Sequence, residues 1–105
     1  MDKAAAINAL AQFRKALEDL GINGITLILF GSHAKGNPRE DSDIDVVVLS
    51  EDFGRMADWD RIKLLSKAIC ASHVLIEAVG LTPAEWESGE SIIAEYARDG
   101  EVIAA

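Results

Sequence analysis

The chain has 105 residues, 50% apolar and 27% charged, with a formal net charge of −8, the composition of a single folded domain spanning 1–105. That acidic balance argues against a direct nucleic-acid binder, which would present a basic face, and no stretch approaches the ~20 continuous apolar residues of a membrane span. It leaves open a basic protein partner, steered by opposite charge, or a nucleotide held through a divalent cation.

The N-terminus begins Met-Asp-Lys and runs into an amphipathic helix with acidic residues, unlike a secretory signal, so a cytoplasmic location is expected. From Lys3 to Leu20, the residues Ala6, Leu10, Phe13, Leu17 and Leu20 recur in steps of four and three, which predicts one buried helical face. Gly21 is the expected stop, and Asn23-Gly24 a turn. Ile25 to Phe30 (ITLILF) is short and continuously apolar and reads as a strand buried on both faces. It ends at Gly31-Ser32. His33 to Gly36 reads as the first turn of a short helix, closed by Asn37-Pro38, and Arg39 to Ser42 as a polar loop.

Asp43 to Leu49 (DIDVVVL) reads as a second strand and Glu51 to Asp58 as an irregular segment. Trp59, Ile62, Leu65 and Ile69, widened by Leu64 and Ala68, predict a second amphipathic helix. Cys70, the single cysteine, lies in that pattern and is expected to be a small buried hydrophobe, with no disulfide framework possible. His73 to Val79 (HVLIEAV) reads as a third strand. Thr82-Pro83 with Glu85 is a helix start. The helix that follows, to about Arg98, either continues or breaks near Ser88-Gly89, and Glu101 to Ala104 is a short strand or a tail. The apolar faces of the Trp59–Ile69 and Trp86–Tyr96 segments are core, or a surface for a dimer or partner. The order is that of an α/β (α+β) domain, a three-stranded mixed sheet flanked by about four helices. The connection between the first two strands is short for a crossover, which favours a mixed over an all-parallel sheet.

Two elements of this pattern carry chemistry. Alternation along a strand puts Asp43 and Asp45 on one face and Ile44 on the other, with Cα atoms about 6.6 Å apart at ~3.3 Å per residue. Carboxylates that close repel unless a cation lies between them, and hard oxygen ligands suit Mg²⁺ or Mn²⁺, which also bind triphosphate oxygens. Gly31-Ser32 follows a buried strand and precedes a helix start. There a glycine admits close approach of a phosphate, free N–H groups attract it, and the Ser32 hydroxyl can donate another bond. Lys35 and Arg39 are candidate phosphate cations. The Walker pattern is absent.

Gly31-Ser32 followed by Asp43-x-Asp45, with an apolar strand on each side, resembles the core motif of the DNA-polymerase-β-like nucleotidyltransferases. The strings GSHAKG and SDIDVVV look like the small stand-alone branch, the minimal nucleotidyltransferase (MNT) domains. The resemblance implies a palm-like mixed sheet and two-metal transfer of a nucleoside monophosphate from a triphosphate, most simply AMP from ATP. It assigns Asp43 and Asp45 to Mg²⁺ (or Mn²⁺), and Gly31, Ser32 and Lys35 to the triphosphate. Where the family often has arginine, this chain has His33 and Lys35, and Lys35 offers a point charge without a bidentate fork. The third carboxylate of active members maps to Glu77, where aspartate is common. Glu77 would be a third metal ligand or the base for the acceptor hydroxyl, with Asp41 a weaker rival.

Relatives that add domains to hold an acceptor are longer, so the acceptor is expected on another protein. The resemblance implies an antitoxin-like role: transfer of AMP to a tyrosine hydroxyl of a HEPN-type ribonuclease toxin. The alternative is a degenerate module that binds nucleotide or partner without chemistry. Transfer to a small-molecule hydroxyl, such as an aminoglycoside's, is disfavoured by length.

Overall fold

The computed structural model describes residues 3–31, 43–89 and 91–103. Helix α1, Lys3–Asp19, buries Ala6, Ala9, Leu10, Phe13 and Leu17, the stripe its spacing predicts, and ends where Gly21 takes a positive φ of 98°. Strands β1 (Thr26–Phe30) and β2 (Ile44–Leu49) pair antiparallel, with Phe30 opposite Asp45. The segment expected to be irregular is a 3-10 turn over Glu51–Arg55. The Ser50 hydroxyl accepts from the Asp52 N–H at its start and donates to the Asn23 carbonyl at 2.6 Å. Helix α2 spans Asp58–Ser72, and β3 (Ile76–Leu81) returns parallel to β2. Helices α3 (Pro83–Ser88) and α4 (Ile92–Tyr96) follow, and β4 (Glu101–Ile103) pairs antiparallel with β1.

The result is an α+β domain with a mixed sheet in the order β3-β2-β1-β4. Among the described residues that sheet has four strands, not three, because Glu101–Ile103 adds to the free edge of β1. No helix among them is long and apolar enough to cross a membrane.

Three further expectations shift. The third strand begins later than His73: α2 runs on to Ser72, and His73 caps it in a left-handed conformation with φ 58°. Pairing with β2 then sets the strand's limits, from Ile44↔Ile76 to Leu49↔Leu81. Helix α2 is also rotated from its hydrophobic stripe. Trp59 and Ile62 are exposed, whereas Arg61, Leu65, Ala68 and Ser72 are buried. Arg61 tolerates that position because its guanidinium donates to the Gly80 carbonyl at 3.1 Å and to Glu85 at 2.8 Å, and lies over the Phe53 ring. Cys70, expected inside, is exposed. The C-terminal helix breaks at Gly89, φ 72°, and restarts with Ser91 as N-cap. At the start of α3 the expected cap forms in full: Thr82 accepts from the Glu85 N–H, and the Glu85 carboxylate accepts from the Thr82 N–H.

Alternation along the strands gives the sheet two unlike faces. Leu27, Leu29, Ile44, Val46, Ile76 and Phe53 form one continuous core with α1 and α2. Ile28, Phe30, Val47, Leu49 and Leu81 form a smaller cluster on the opposite face with Ala94 and Ala97 and, at its margin, Trp86 and Ile93. Among the described residues, one end of that second face is only partly covered, where Asp45 is half-buried and Glu77 exposed.

Candidate functional site

The carboxylates lie at this partly covered end. In the sheet register Asp45 is flanked by Phe30 on β1 and by Glu77 on β3. The parity that puts Val47 on the second face puts Asp45 there too, and likewise Glu77 with Val79 and Leu81. Adjacent strands lie ~4.8 Å apart, so parallel pairing sets Asp45 and Glu77 side by side. Asp43 stands just ahead of β2, half-buried like Asp45, while Glu77 is exposed.

The three are electrostatically linked. Glu77 is held above the ordinary carboxylate range, first by its hydrogen bond with Asp45 and then by the negative charge of Asp45; the charge and hydrogen bond of Asp43 and slight desolvation add to this. The donor set, all hard oxygens, is of the type that Mg²⁺ or Mn²⁺ takes. As the side chains stand they engage one another: among the described residues no three His, Cys, Asp or Glu side chains converge closely enough to hold an ion together.

Gly31 lies against the Asp45 carboxylate. Its φ of 76° is one that side-chain-bearing residues rarely adopt, and a Cβ there would collide with the Asp45 carboxylate. The turn that ends β1 therefore lies directly against the pair's second member. Of the remaining predicted residues, Ser32, His33, Lys35, Arg39 and Asp41 lie outside the described residues, as does the short helical turn expected at His33–Gly36.

Asp45 and Glu77 open onto a cavity of about 380 Å³ that is also lined by Phe30, Val79, Ile92, Ile93 and Tyr96. A smaller one of about 210 Å³ adjoins it, between Gly31 and Tyr96. The α4 residues are functional candidates that sequence reasoning assigned to core, dimer or partner. Their signal was the Ile92–Tyr96 pair, one turn apart behind a serine cap. A larger hollow of about 670 Å³, between Arg61 on α2, the outer edge of β3 and Glu85 on α3, contains none of the predicted site residues.

Compared with known proteins, the chain matches the model of the nucleotidyltransferase domain over residues 10–97. No curated protein matches it. Its fold is similar to that of a crystal structure from Sulfolobus solfataricus, of a protein provisionally named a nucleotidyltransferase. The TM-score is 0.72 at 18% identity, over 95% of this chain and 80% of that one. The family match spans most of the chain and includes Gly31, Asp43, Asp45 and Glu77, so the protein is a member of the nucleotidyltransferase domain family.

Proposed function

We propose that the protein transfers AMP from ATP to a hydroxyl of a partner protein, and that the partner is a HEPN-type ribonuclease toxin which this transfer neutralises. One observation carries the reading. Gly31, in the turn that ends β1, meets Asp45 on β2 and Glu77 on β3 on one sheet face, with Asp43 beside them.

In this reading Asp43 and Asp45, joined by Glu77, hold Mg²⁺ or Mn²⁺. The cations, when bound, neutralise phosphate oxygens and stabilise the attacking and leaving oxygens of an in-line displacement. Gly31 lets the backbone approach the triphosphate, and Ser32 and Lys35 take their roles from the family resemblance. Glu77, beside Asp45 on the neighbouring strand, receives the proton of the acceptor hydroxyl. The acceptor oxygen bonds to the α-phosphorus, the bond to the β-phosphate oxygen breaks, and pyrophosphate leaves. A protein acceptor is supported by the exposure of Ile92 and Tyr96, which line the cavity beside Asp45 and Glu77, so that a hydroxyl on another molecule can approach from that side. The net charge of −8 favours a basic partner.

The test is a purified mixture of the protein, its partner, ATP and Mg²⁺, read by mass spectrometry for an adenylylated tyrosine. Replacing both Asp43 and Asp45 by alanine should cost several kcal/mol of transition-state stabilisation, on the order of a thousandfold in rate. The second reading, a binding module without chemistry, is supported by the departures at His33, Lys35 and Glu77 from the residues that the resembled family often carries. It predicts that the same double variant neutralises the partner in full.

A further inference from the structure

Tyr96 is the only tyrosine in the chain, and its surroundings are those of a ligand wall. Its ring is 76% exposed on α4, and Ile92, one turn earlier, is 84% exposed. Isolated exposed apolar residues are common, but these two line the same cavity as Asp45 and Glu77. The ring is also braced. It meets Phe30, itself buried in the sheet, edge-to-face with centroids 6.1 Å apart and planes at 79°, a favoured aromatic geometry. A braced, solvent-facing aromatic beside a charged site is a stacking platform. Every nucleobase has a π-face that such a platform accepts.

The cavity suits this use. At about 380 Å³ it falls in the range of small-molecule sites, roughly 300–1,000 Å³. Its lining combines the carboxylates of Asp45 and Glu77 with the apolar and aromatic side chains of Phe30, Val79, Ile92, Ile93 and Tyr96. A nucleoside triphosphate joins the same two chemistries, charged phosphates and a flat, weakly hydrated base. Tyr96 also lines the adjoining hollow beside Gly31, so it stands near the proposed phosphate turn as well.

We propose that Tyr96, braced by Phe30 and flanked by Ile92, is the wall against which the nucleobase of the triphosphate stacks. The assignment rests on the nucleotidyl-transfer reading above. It makes Tyr96 a substrate-binding residue with no part in the chemical step, and its ring, not its hydroxyl, the group that matters.

The test compares ATP with inorganic tripolyphosphate, each with Mg²⁺, by titration calorimetry on the full chain and on Tyr96→Ala and Tyr96→Phe. Stacking of this kind corresponds to a loss of on the order of tenfold in ATP affinity for Tyr96→Ala. Tripolyphosphate affinity should be unchanged in that variant, and Tyr96→Phe should bind ATP as the wild type does. In proton NMR, ATP should shift the ring signals of the single tyrosine upfield, through the ring current of a stacked base, and tripolyphosphate should not. The proposal is overturned if Tyr96→Ala binds ATP normally, if it loses both ligands equally, or if Tyr96→Phe is as weak as Tyr96→Ala. Wild-type protein that binds neither ligand would remove the nucleotidyl-transfer reading itself, and this assignment with it. Because Tyr96 is exposed, its variants should keep the fold, and a circular dichroism melt verifies this.

Discussion

The two faces of the sheet use the same strands for opposite purposes. On the face under α1 and α2, Leu27, Leu29, Ile44, Val46 and Val48 are each 0% exposed, and two long helices close over them. On the other face α3 and α4 are short, and Asp45, Glu77, Ile92 and Tyr96 are left partly or largely in contact with solvent. Ile44 and Asp45 are neighbours in the chain, yet one belongs to the core and the other to the site. A sheet divides stability from chemistry by residue parity, so substitutions on the two faces should separate cleanly.

The largest expected effect tests the closed face. Phe13, fully buried in the core with Leu27 and Leu29, should cost about 3–5 kcal/mol on replacement by alanine, read by urea denaturation. Nucleotide affinity per folded molecule should not change; a parallel loss of affinity would break the division between faces.

Next comes the link between the sheet edge and α3. Glu85 caps α3 and accepts from Arg61, whose Nε is buried with no partner among the described residues. Glu85→Ala should cost about 2 kcal/mol through the lost cap and the weakened hold on a buried guanidinium. Solvent screening keeps the half-exposed ion pair itself a small part of that. The Glu85 carboxyl is held below the usual range, first by its hydrogen bond from Arg61 and then by the backbone N–H of Thr82. Its contribution is therefore present above the ordinary carboxylate pKa and lost as pH falls through the depressed value. The stability gap between wild type and variant should narrow only in acid, which thermal melts across a pH series would show.

Gly31→Ala should act on the open face. Alanine at a φ of 76° is strained and its Cβ meets Asp45, a cost of about 1–2 kcal/mol. ATP binding should fall further than the stability loss explains, because Asp45 must move; proportionate losses would separate Gly31 from the site.

The smallest effect has the opposite sign. Glu77 has a raised pKa, so the folded state holds its proton more tightly than the unfolded chain, and stability declines as pH rises through that raised value. Glu77→Gln removes the repulsion from Asp45 and Asp43. It should raise the melting temperature slightly at neutral pH without metal, give no gain in acid, and impair Mg²⁺-dependent transfer.

Much of this was legible in the sequence because it depends on neighbours along the chain. The helical stripe of Ala6, Leu10, Phe13 and Leu17, the apolar strand before Gly31 and the Thr82–Glu85 cap follow from local periodicity and capping chemistry. Alternation along one strand also predicts a shared face for Asp43 and Asp45, although β2 begins at Ile44 and Asp43 stands just ahead of it. The spacing of Gly31 from those aspartates pointed to nucleotidyltransferases, and the match over residues 10–97 bears out that family.

What the sequence left undecided depends on partners far away in it. Trp59 and Ile62 continue a plausible stripe, yet α2 turns Arg61 inward, because Gly80, Glu85 and Phe53 offer its guanidinium a place that hydropathy does not anticipate. Three apolar residues and a glutamate near the C-terminus did not announce whether they form a strand, until the free edge of β1 paired Glu101–Ile103. Asp43 and Asp45 could be placed on one face from the sequence, but Glu77 could be set beside Asp45, and Tyr96 beside both, only by strand register and helix docking. Alternation is a property of one strand, whereas register and the seating of a helix are properties of pairs, decided by which surfaces the folded chain brings together.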